Sequence, residues 1–260
     1  MNEIPFPTPQ PNEILLKVEW GGINFIDTYI RSGLYPNSVP FPFTSGSEAA
    51  GVIVQLPADP DVLKDPEYQA RNYKIGDRVV VVCQYFLFPH WFAPWRSCML
   101  TGRLSAIVFQ TVQRSFQEYV AQNWVNVLPV PPTVSTRSAA ALALSGFTAL
   151  TFITEAYAAK PGEWVLVHAA AGSLGTILSQ LLSARGVHVI GTTSTPQKAE
   201  IAKSNGVEHV IVTSQEDTVK RVLQITGGEG VHGVYDGIGK DTWVITPQNE
   251  DFIYLHKINR

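Results

Sequence analysis

The chain has 260 residues, of which 45% are hydrophobic and 16% are charged, and its formal net charge is −3. This length allows one large domain or two ordinary ones, each with its own buried core. Without an excess of positive charge the chain cannot neutralise a phosphate backbone, so binding to nucleic acid is not expected. The two cysteines, Cys83 and Cys98, could pair, but they are too few for a disulfide framework in a chain of this size.

The first residues and the apolar stretches bear on the location of the protein. Residues 1–9 lack the basic flank and the apolar run of a signal peptide. The sequence contains no run of about 18 uncharged apolar residues that would predict a membrane-spanning helix. We therefore expect a cytoplasmic protein without a membrane partner.

Short strands are predicted in the first part of the chain, which ends near residue 130. Residues 13–20, 49–55, 77–82 and 116–121 are short runs of apolar and β-branched residues. Each run fits a strand of a small barrel or sandwich. The proline-rich residues 128–133 interrupt this pattern and indicate a boundary.

Strands and helices alternate in the second part of the chain. Residues 138–158 are rich in alanine and leucine with helical spacing, which Gly146 interrupts. This alternation with short loops predicts a parallel, doubly wound sheet. A complete dinucleotide-binding sheet has about six strands, so the predicted sheet is incomplete. Strands are predicted at 164–169, 188–193, 209–213 and 233–237, and helices at 174–185, 196–205 and 217–226.

A glycine-rich turn follows the first strand of this series. It reads Ala169-Ala-Ala-Gly-Ser-Leu-Gly175, a dinucleotide fingerprint with alanine at its first position. Gly172 lets the backbone approach a pyrophosphate, Gly175 lets the helix pack on the strand, and the helix N-terminus offers N–H groups to the phosphates. The alternative is a purely structural turn. The cofactor-binding residues predicted in this turn are Ala171, Gly172, Ser173, Leu174 and Gly175.

The end of the second strand distinguishes between the two nicotinamide cofactors. An NAD site has Asp or Glu there to bind the ribose 2′-hydroxyl. This chain has Thr193 and Ser194 instead, followed by Lys198. Hydroxyls and an ammonium group suit a 2′-phosphate that a carboxylate would repel, so NADP(H) is predicted. Lys198 could also be an ordinary solvated lysine of the following helix.

A polar cluster lies near the N-terminus. Asn24, Asp27 and Arg31 are spaced so that one helical face could present all three side chains. This pattern indicates either a substrate site or an Asp–Arg pair that only pins the segment. No metal site is predicted, because the histidines lack ligand spacing with a cysteine or carboxylate and are expected to be surface or packing residues.

The most specific motif runs from Gly22 to Tyr35 and reads GINFIDTYIRSGLY. It closely resembles the NADPH:quinone oxidoreductases, the zeta-crystallin-like, zinc-free branch of the medium-chain dehydrogenase/reductases. The resemblance covers most of residues 12–82 and 115–243. Further matching motifs are Gly46–Gly51, Lys74–Val79, His168–Gly172, Gln197–Lys198, Ile225–Gly228 and Tyr235–Trp243.

The resemblance implies an α/β protein with a GroES-like catalytic domain at residues 1–145 and a Rossmann NADP-binding domain at 146–243. Members of this family transfer reducing equivalents from NADPH to quinones and form homo-oligomers. As catalytic residues that line the quinone and nicotinamide cleft, the resemblance implies Asn24, Asp27, Tyr29 and Tyr35. As cofactor contacts beyond the glycine turn, it implies Thr148, Thr193, Ser194 and Lys198. Thr213 is a further cofactor contact, but it stands where the family often has a tyrosine, so a weaker contact is expected there.

Zinc-dependent relatives carry Gly-His-Glu where this chain has Gly46-Ser47-Glu48. The missing histidine agrees with the predicted absence of a metal site. Without zinc, hydrogen bonds are left to polarise a substrate carbonyl, which suits an easily reduced quinone better than an alcohol.

Two segments depart from the family pattern. Residues 83–114 form an aromatic, irregular insert where the family has a short link, and residues 244–260 form a tail outside the resemblance. The sequence therefore resembles a member truncated at its C-terminus, without the last strands and the segments through which the family dimerises. An incomplete or misread gene product is one explanation.

Three functions stay open on the sequence. The preferred one is a zinc-independent, NADPH-dependent quinone oxidoreductase. The second is a zinc-free reductase of activated carbon–carbon double bonds in enones or enoyl thioesters. The third is an NADPH-binding family member or fragment without catalysis.

Overall fold

The computed structural model describes residues 3–34, 43–82, 115–239 and 242. The chain divides into two compact units, Met1–Leu144 and Ser145–Arg260. The predictions for Tyr35, for the insert at 83–114 and for the tail at 244–260 lie outside the described residues.

The first unit is built around an antiparallel sheet. Its strands are β1 (Glu13–Gly22), β2 (Glu48–Gln55), β3 (Arg78–Val82), β4 (Tyr119–Asn123) and β5 (Val127–Pro129). They lie in the order β4-β1-β2-β3-β5, and each neighbouring pair is antiparallel. Alternate residues face a common core, because side chains of a strand point to opposite faces in turn. The β-rich first part is confirmed, with a fully buried core that includes Ile14, Leu16, Ile53, Val79 and Val81.

Three short helices accompany this sheet: α1 (Phe25–Arg31), α2 (Pro60–Lys64) and α3 (Pro66–Arg71). The sequence analysis did not predict α2 and α3. Each begins at a proline and is capped by the preceding aspartate, Asp59 or Asp65, whose carboxylate accepts backbone N–H groups of the first turn. An aspartate before a proline is a local helix-start pattern, so both helices could have been predicted.

The second unit contains a parallel sheet with helices between its strands. The strands lie in the order β8-β7-β6-β9, the arrangement of a doubly wound dinucleotide-binding sheet, so this prediction is confirmed. The parallel register aligns the carboxyl ends of β6 and β7, where the glycine turn and the predicted 2′-phosphate contacts follow. The strands are β6 (Trp164–Val167), β7 (His188–Thr193), β8 (His209–Val212) and β9 (Gly233–Tyr235). Helix α4 (Thr136–Thr151) begins in the first unit, to which residues 136–144 belong, and continues into the second, whose other helices are α5 (Ser173–Ala184), α6 (Pro196–Ser204) and α7 (Thr218–Ile225).

Helix α4 runs through Gly146, which the sequence analysis took as an interruption. It continues into a π-helical turn at Phe152–Ala156. The combined segment Thr136–Ala156 is long and apolar enough to cross a membrane by length and composition alone. A single helix of this kind is weak support for a membrane span, since core helices of other proteins pass the same test.

Candidate functional site

The glycine turn between β6 and α5 has the backbone geometry of an anion-binding site. Ala169 adopts a left-handed conformation with φ of 50°. Its carbonyl accepts a hydrogen bond of 2.8 Å from the N–H of Gly172, which caps the helix in an extended conformation. The first N–H groups of an α-helix have no partner within the helix, so those of Ser173, Leu174 and Gly175 are available to an anion beyond β6.

The two glycines of this turn meet different surroundings. A Cβ at Gly175 would overlap the carbonyl oxygen of Ala169 and would lie 2.7 Å from the Cα of Ala170. A Cβ at Gly172 would lie 3.1 Å from the Ala169 oxygen, and Gly172 is exposed. Gly175 therefore allows close packing of helix on strand, whereas Gly172 leaves an open approach to the turn. The pyrophosphate contacts themselves stay a prediction.

A buried histidine directly after β6 connects the same turn to β7. Nδ1 of His168 lies 3.0 Å from the hydroxyl oxygen of Thr192, and this oxygen also accepts the N–H of Ala169 at 3.3 Å. Either atom can be the donor of this bond, depending on the tautomer of the imidazole ring. Within the described part of the chain, Nε2 of His168 has no hydrogen-bonding partner. His168 fits the predicted packing role, and the sequence analysis missed Thr192.

The burial of His168 makes stability depend on pH. Burial lowers the pKa of His168 below its ordinary value, although Asp236 acts in the opposite direction. The stability that His168 contributes is therefore present above about pH 6.5 and is lost as the pH falls through the lowered pKa, because the unfolded chain binds the proton more readily. We expect a flatter pH profile of the melting temperature for His168→Gln than for the wild type between about pH 5 and 8. Parallel profiles would contradict this expectation.

Helix α4 contributes a hydroxyl to the start of α5. The side-chain oxygens of Ser145 and Ser173 lie 2.8 Å apart, and Ser145 is buried. Thr148 lies one turn further along α4 and is half-buried, as are Ala171 and Leu174. The sequence analysis named Ser173 and Thr148 but missed Ser145, which only the folded chain brings beside the glycine turn.

A polar surface with one positive charge lies at the end of β7. Nζ of Lys198 donates to the Ser194 hydroxyl at 3.3 Å, and both residues are exposed. The hydroxyl of Ser214, which follows β8, donates to the Ser194 carbonyl at 3.2 Å. Thr193 is buried, and its carbonyl accepts the hydroxyl of Thr213 at 3.2 Å. Ser194, Lys198, Thr213 and Ser214 are thus exposed polar residues here, and Ser214 was not predicted.

In the first unit, the Asp27 carboxylate links helix α1 to Ser47, the residue directly before strand β2. Its side chain is buried, and one carboxylate oxygen accepts the N–H of Asn24 at 2.8 Å. The other oxygen accepts the hydroxyl of Ser47. The partners of the Asp27 carboxylate are therefore Asn24 and Ser47 rather than Arg31, which is exposed. The catalytic role of Asp27 stays a prediction.

Glu48 is the second buried carboxylate of this region, and the sequence analysis missed it. It is 2% exposed, and its two oxygens accept the Asn24 side-chain amide at 2.7 Å and the Leu144 N–H at 2.6 Å. Burial raises the pKa of the Glu48 carboxyl; the hydrogen bonds from Leu144 and Asn24 oppose the shift, and the charge of Asp27 adds to it. The sequence signal that could have identified Glu48 is a carboxylate at the first position of the apolar strand β2.

Tyr29, the last predicted residue of the first unit that the structure describes, is exposed on α1. Tyr29 is 45% exposed, and its ring centroid lies 6.5 Å from that of Phe25, which is 81% exposed. Ile23 and Leu34 are exposed as well. Helix α1 and its flanking residues therefore expose four large apolar side chains.

No metal centre is formed in the part of the chain that the structure describes. Residues 3–34, 43–82 and 115–239 contain no group of three or more His, Cys, Asp or Glu side chains placed to hold an ion. Ser47 takes the position of the zinc-ligand histidine, and its hydroxyl is committed to Asp27.

Two family models match the chain. The alcohol dehydrogenase GroES-like domain matches residues 10–132, and the zinc-binding dehydrogenase domain matches residues 173–245. They confirm the predicted fold class, a GroES-like domain followed by a Rossmann-type domain. The exact domain limits, at residues 145 and 243, stay a prediction.

The chain is also similar to proteins named as quinone oxidoreductases and as a 2-haloacrylate reductase. It is 36% identical to a probable quinone oxidoreductase of Schizosaccharomyces pombe, over 91% of this chain and 59% of the relative. It is 34% identical to a 2-haloacrylate reductase of a Burkholderia species, over 92% of this chain and 62% of the relative. The crystal structure of Escherichia coli quinone oxidoreductase complexed with NADPH matches with a TM-score of 0.75 and 34% identity, over 94% of this chain and 63% of that one.

The chain thus spans less than two thirds of the length of these relatives. Sequence relatives, family models and solved structures nevertheless agree on one assignment, and they confirm the resemblance seen in the motifs. The chain belongs to the medium-chain dehydrogenase/reductase family, in its zinc-free quinone oxidoreductase branch.

Proposed function

We propose that the protein transfers reducing equivalents from NADPH to quinones without a metal ion. The observation that carries the proposal is Ser47, which replaces the zinc-ligand histidine and donates its hydroxyl to the buried Asp27. A site of this kind offers a substrate hydrogen bonds instead of a Lewis acid. Quinone carbonyls accept electrons readily, so hydrogen bonds are sufficient for them, whereas an ordinary alcohol or ketone needs stronger polarisation.

The second unit supports NADPH as the cofactor. The N–H groups at the start of α5 suit the pyrophosphate, and the Ser194–Lys198 pair suits the 2′-phosphate. The E. coli quinone oxidoreductase that this chain resembles was solved with NADPH. NADPH would supply the hydride, while the protein's own residues bind the cofactor and fix its position.

The first unit supports a flat, partly apolar substrate. Phe25 and Tyr29 expose aromatic rings on α1, and a quinone ring stacks favourably on such rings. Asn24 lies at the start of the same helix, where its half-buried amide can form hydrogen bonds with a polar group. The proposal assigns substrate or nicotinamide contacts to Asn24, Tyr29 and Tyr35.

The test is oxidation of NADPH by the purified full chain in the presence of an ortho-quinone, followed by loss of NADPH absorbance. The proposal predicts quinone-dependent turnover that exceeds the rate with NADH and is unaffected by a metal chelator. Absence of turnover by a folded protein that binds NADPH would contradict the proposal and support the non-catalytic alternative.

A second candidate is reduction of an activated carbon–carbon double bond, which the similarity to a 2-haloacrylate reductase favours. The same assay distinguishes the two activities when a 2-haloacrylate and an enone replace the quinone. A higher kcat/KM for either of these substrates than for the quinone would support the second candidate.

Lys198 is expected to set the preference for NADPH. Replacing Lys198 with alanine removes the only charge of the Ser194–Lys198 pair, so we expect the Kd for NADPH to rise about tenfold and that for NADH to stay unchanged. Fluorescence titration measures both constants. The matched control is Lys203→Ala on the same helix, because Lys203 pairs with Glu200 instead. Equal effects of the two substitutions would contradict this role of Lys198.

The remaining expectations for the whole protein rest on the family. Quinone and NADPH are its small-molecule partners in this proposal. A homo-oligomeric state and a cytoplasmic location stay predictions, which sedimentation analysis and localisation of the tagged chain would test.

A further inference from the structure

Two buried carboxylates hold Asn24 from different sides. Asp27 accepts the backbone N–H of Asn24 at 2.8 Å, and Glu48 accepts its side-chain Nδ2 at 2.7 Å. Backbone and side chain of this one residue are therefore fixed separately. The contact with Glu48 is not local, because Glu48 lies 24 residues from Asn24 in the chain.

An amide and a carboxylate can pair in only one way. Asparagine carries a donor nitrogen and an acceptor oxygen of nearly equal size, so its amide can normally turn over. An ionised carboxylate only accepts hydrogen bonds, so it selects the nitrogen of Asn24 and rejects the oxygen. The second Nδ2 hydrogen of Asn24 then has a fixed direction toward a ligand, whereas Oδ1 faces the backbone N–H of Asp27 in the capping box of α1.

Glu48 is itself held rigidly. Its second oxygen accepts the N–H of Leu144 in helix α4 at 2.6 Å. Gly22 makes this position possible, because a Cβ at Gly22 would overlap Oε1 of Glu48 and the carbonyl oxygen of Ala140. The carboxylate is thus fixed between β1, α1 and α4, with one oxygen left for Asn24.

Burial of the Glu48 carboxylate by itself destabilises the folded state. Removing a charge from water disfavours the folded state unless hydrogen bonds compensate, and an apolar side chain would avoid that loss. Glu48 is 2% exposed and has the charge of Asp27 nearby. A purely structural contact with α4 would not need an acceptor directed at a half-buried amide of the predicted site.

We infer that Glu48 is a positioning residue, whose carboxylate fixes the orientation of the Asn24 amide toward the substrate or nicotinamide. The inference rests on the proposed function for the identity of the ligand, but the pairing of Glu48 with Asn24 can be tested without it. Glu48 acts through Asn24 and does not itself touch the ligand.

The test compares Glu48→Gln, Asn24→Ala and the double variant in the full chain. Glutamine keeps the size of Glu48 but adds a donor, so the Asn24 amide can turn over. We expect kcat with the quinone to fall about tenfold in Glu48→Gln, with little change in the Kd for NADPH. The double variant should be no slower than Asn24→Ala alone, because both substitutions remove the same interaction.

The matched control is Glu19→Gln. The Glu19 carboxylate also contacts helix α4, through the hydroxyl of Thr136 at 2.6 Å, but it has no contact with Asn24 among the described residues. A role limited to holding α4 predicts similar losses for Glu19→Gln and Glu48→Gln, and additive effects in the double variant. Either outcome would overturn the inference.

A spectroscopic measurement separates this inference from the proposed function. The side-chain amide resonances of Asn24, assigned by their loss in Asn24→Ala, should shift in Glu48→Gln and stay unchanged in Glu19→Gln. If the wild type fails to reduce quinones but the resonances shift as expected, the proposed function fails and the pairing stands. If they do not respond to Glu48→Gln, the inference fails whatever the enzyme reduces.

Discussion

Replacing Gly175 with alanine is expected to lower the free energy of unfolding by about 1–3 kcal/mol and to weaken NADPH binding more than about tenfold. The added Cβ would overlap the Ala169 carbonyl oxygen and lie 2.7 Å from the Cα of Ala170, which are backbone atoms and cannot turn aside. Helix α5 must therefore move away from the end of β6, and its N–H groups move with it. Urea unfolding and fluorescence titration with NADPH measure the two effects.

Two neighbouring glycines provide controls. Gly146 lies inside α4 with nothing within 4 Å of a built Cβ, so Gly146→Ala should stabilise the protein by about 0.5–1 kcal/mol. Gly172 has an extended backbone and only one tight contact, so Gly172→Ala should weaken NADPH binding with a smaller loss of stability. Unchanged stability and binding in Gly175→Ala would contradict the packing role of this glycine.

Replacing Asp27 with alanine is expected to destabilise the protein by about 2–5 kcal/mol, because a buried hydroxyl and a half-buried N–H lose a charged acceptor. The N–H of Asn24 and the hydroxyl of Ser47 both donate to this carboxylate, and Asp27 and Ser47 are buried. The link between α1 and β2 is lost at the same time, so quinone turnover should fall as well. Urea unfolding followed by tryptophan fluorescence measures the change.

Asp59→Ala is the matched control for Asp27. The Asp59 carboxylate accepts a backbone N–H of α2 at 2.9 Å in an exposed position, so its loss should cost about 1 kcal/mol. Asp27→Asn, which keeps one acceptor oxygen, should lie between the two alanine variants. A smaller loss for Asp27→Ala than for Asp59→Ala would show that solvent replaces the carboxylate, contrary to its burial.

Local patterns predicted much of the second unit. Alternating strands and helices, glycines after helix ends and the turn around Gly172 depend on residues that are close in sequence. The predicted strand at 188–193 has the observed bounds of β7, and the others differ by a few residues. Ser194 and Lys198 are only four positions apart in the chain, so their pairing could also be predicted from the sequence.

Other local patterns were missed or misjudged. Helices α2 and α3 follow Asp-Pro pairs that were present in the sequence. Gly146 was expected to interrupt α4, but a glycine in a helix costs only about 1 kcal/mol, which the surrounding alanine and leucine residues compensate. In each case the deciding residues are close in sequence, and the error was to underestimate or overestimate the effect of a single residue.

The sequence by itself determined the family, the two sheet types, the glycine turn and the candidate residues Asn24 and Lys198. Only the tertiary structure showed that Glu48 accepts the side-chain amide of Asn24, that Asp27 pairs with Ser47, and that His168 and Thr192 lie in hydrogen-bonding contact beside the turn. The physical reason is distance along the chain. Each of these contacts joins residues 20 or more positions apart, and such contacts exist only once strand pairing has fixed which segments are neighbours.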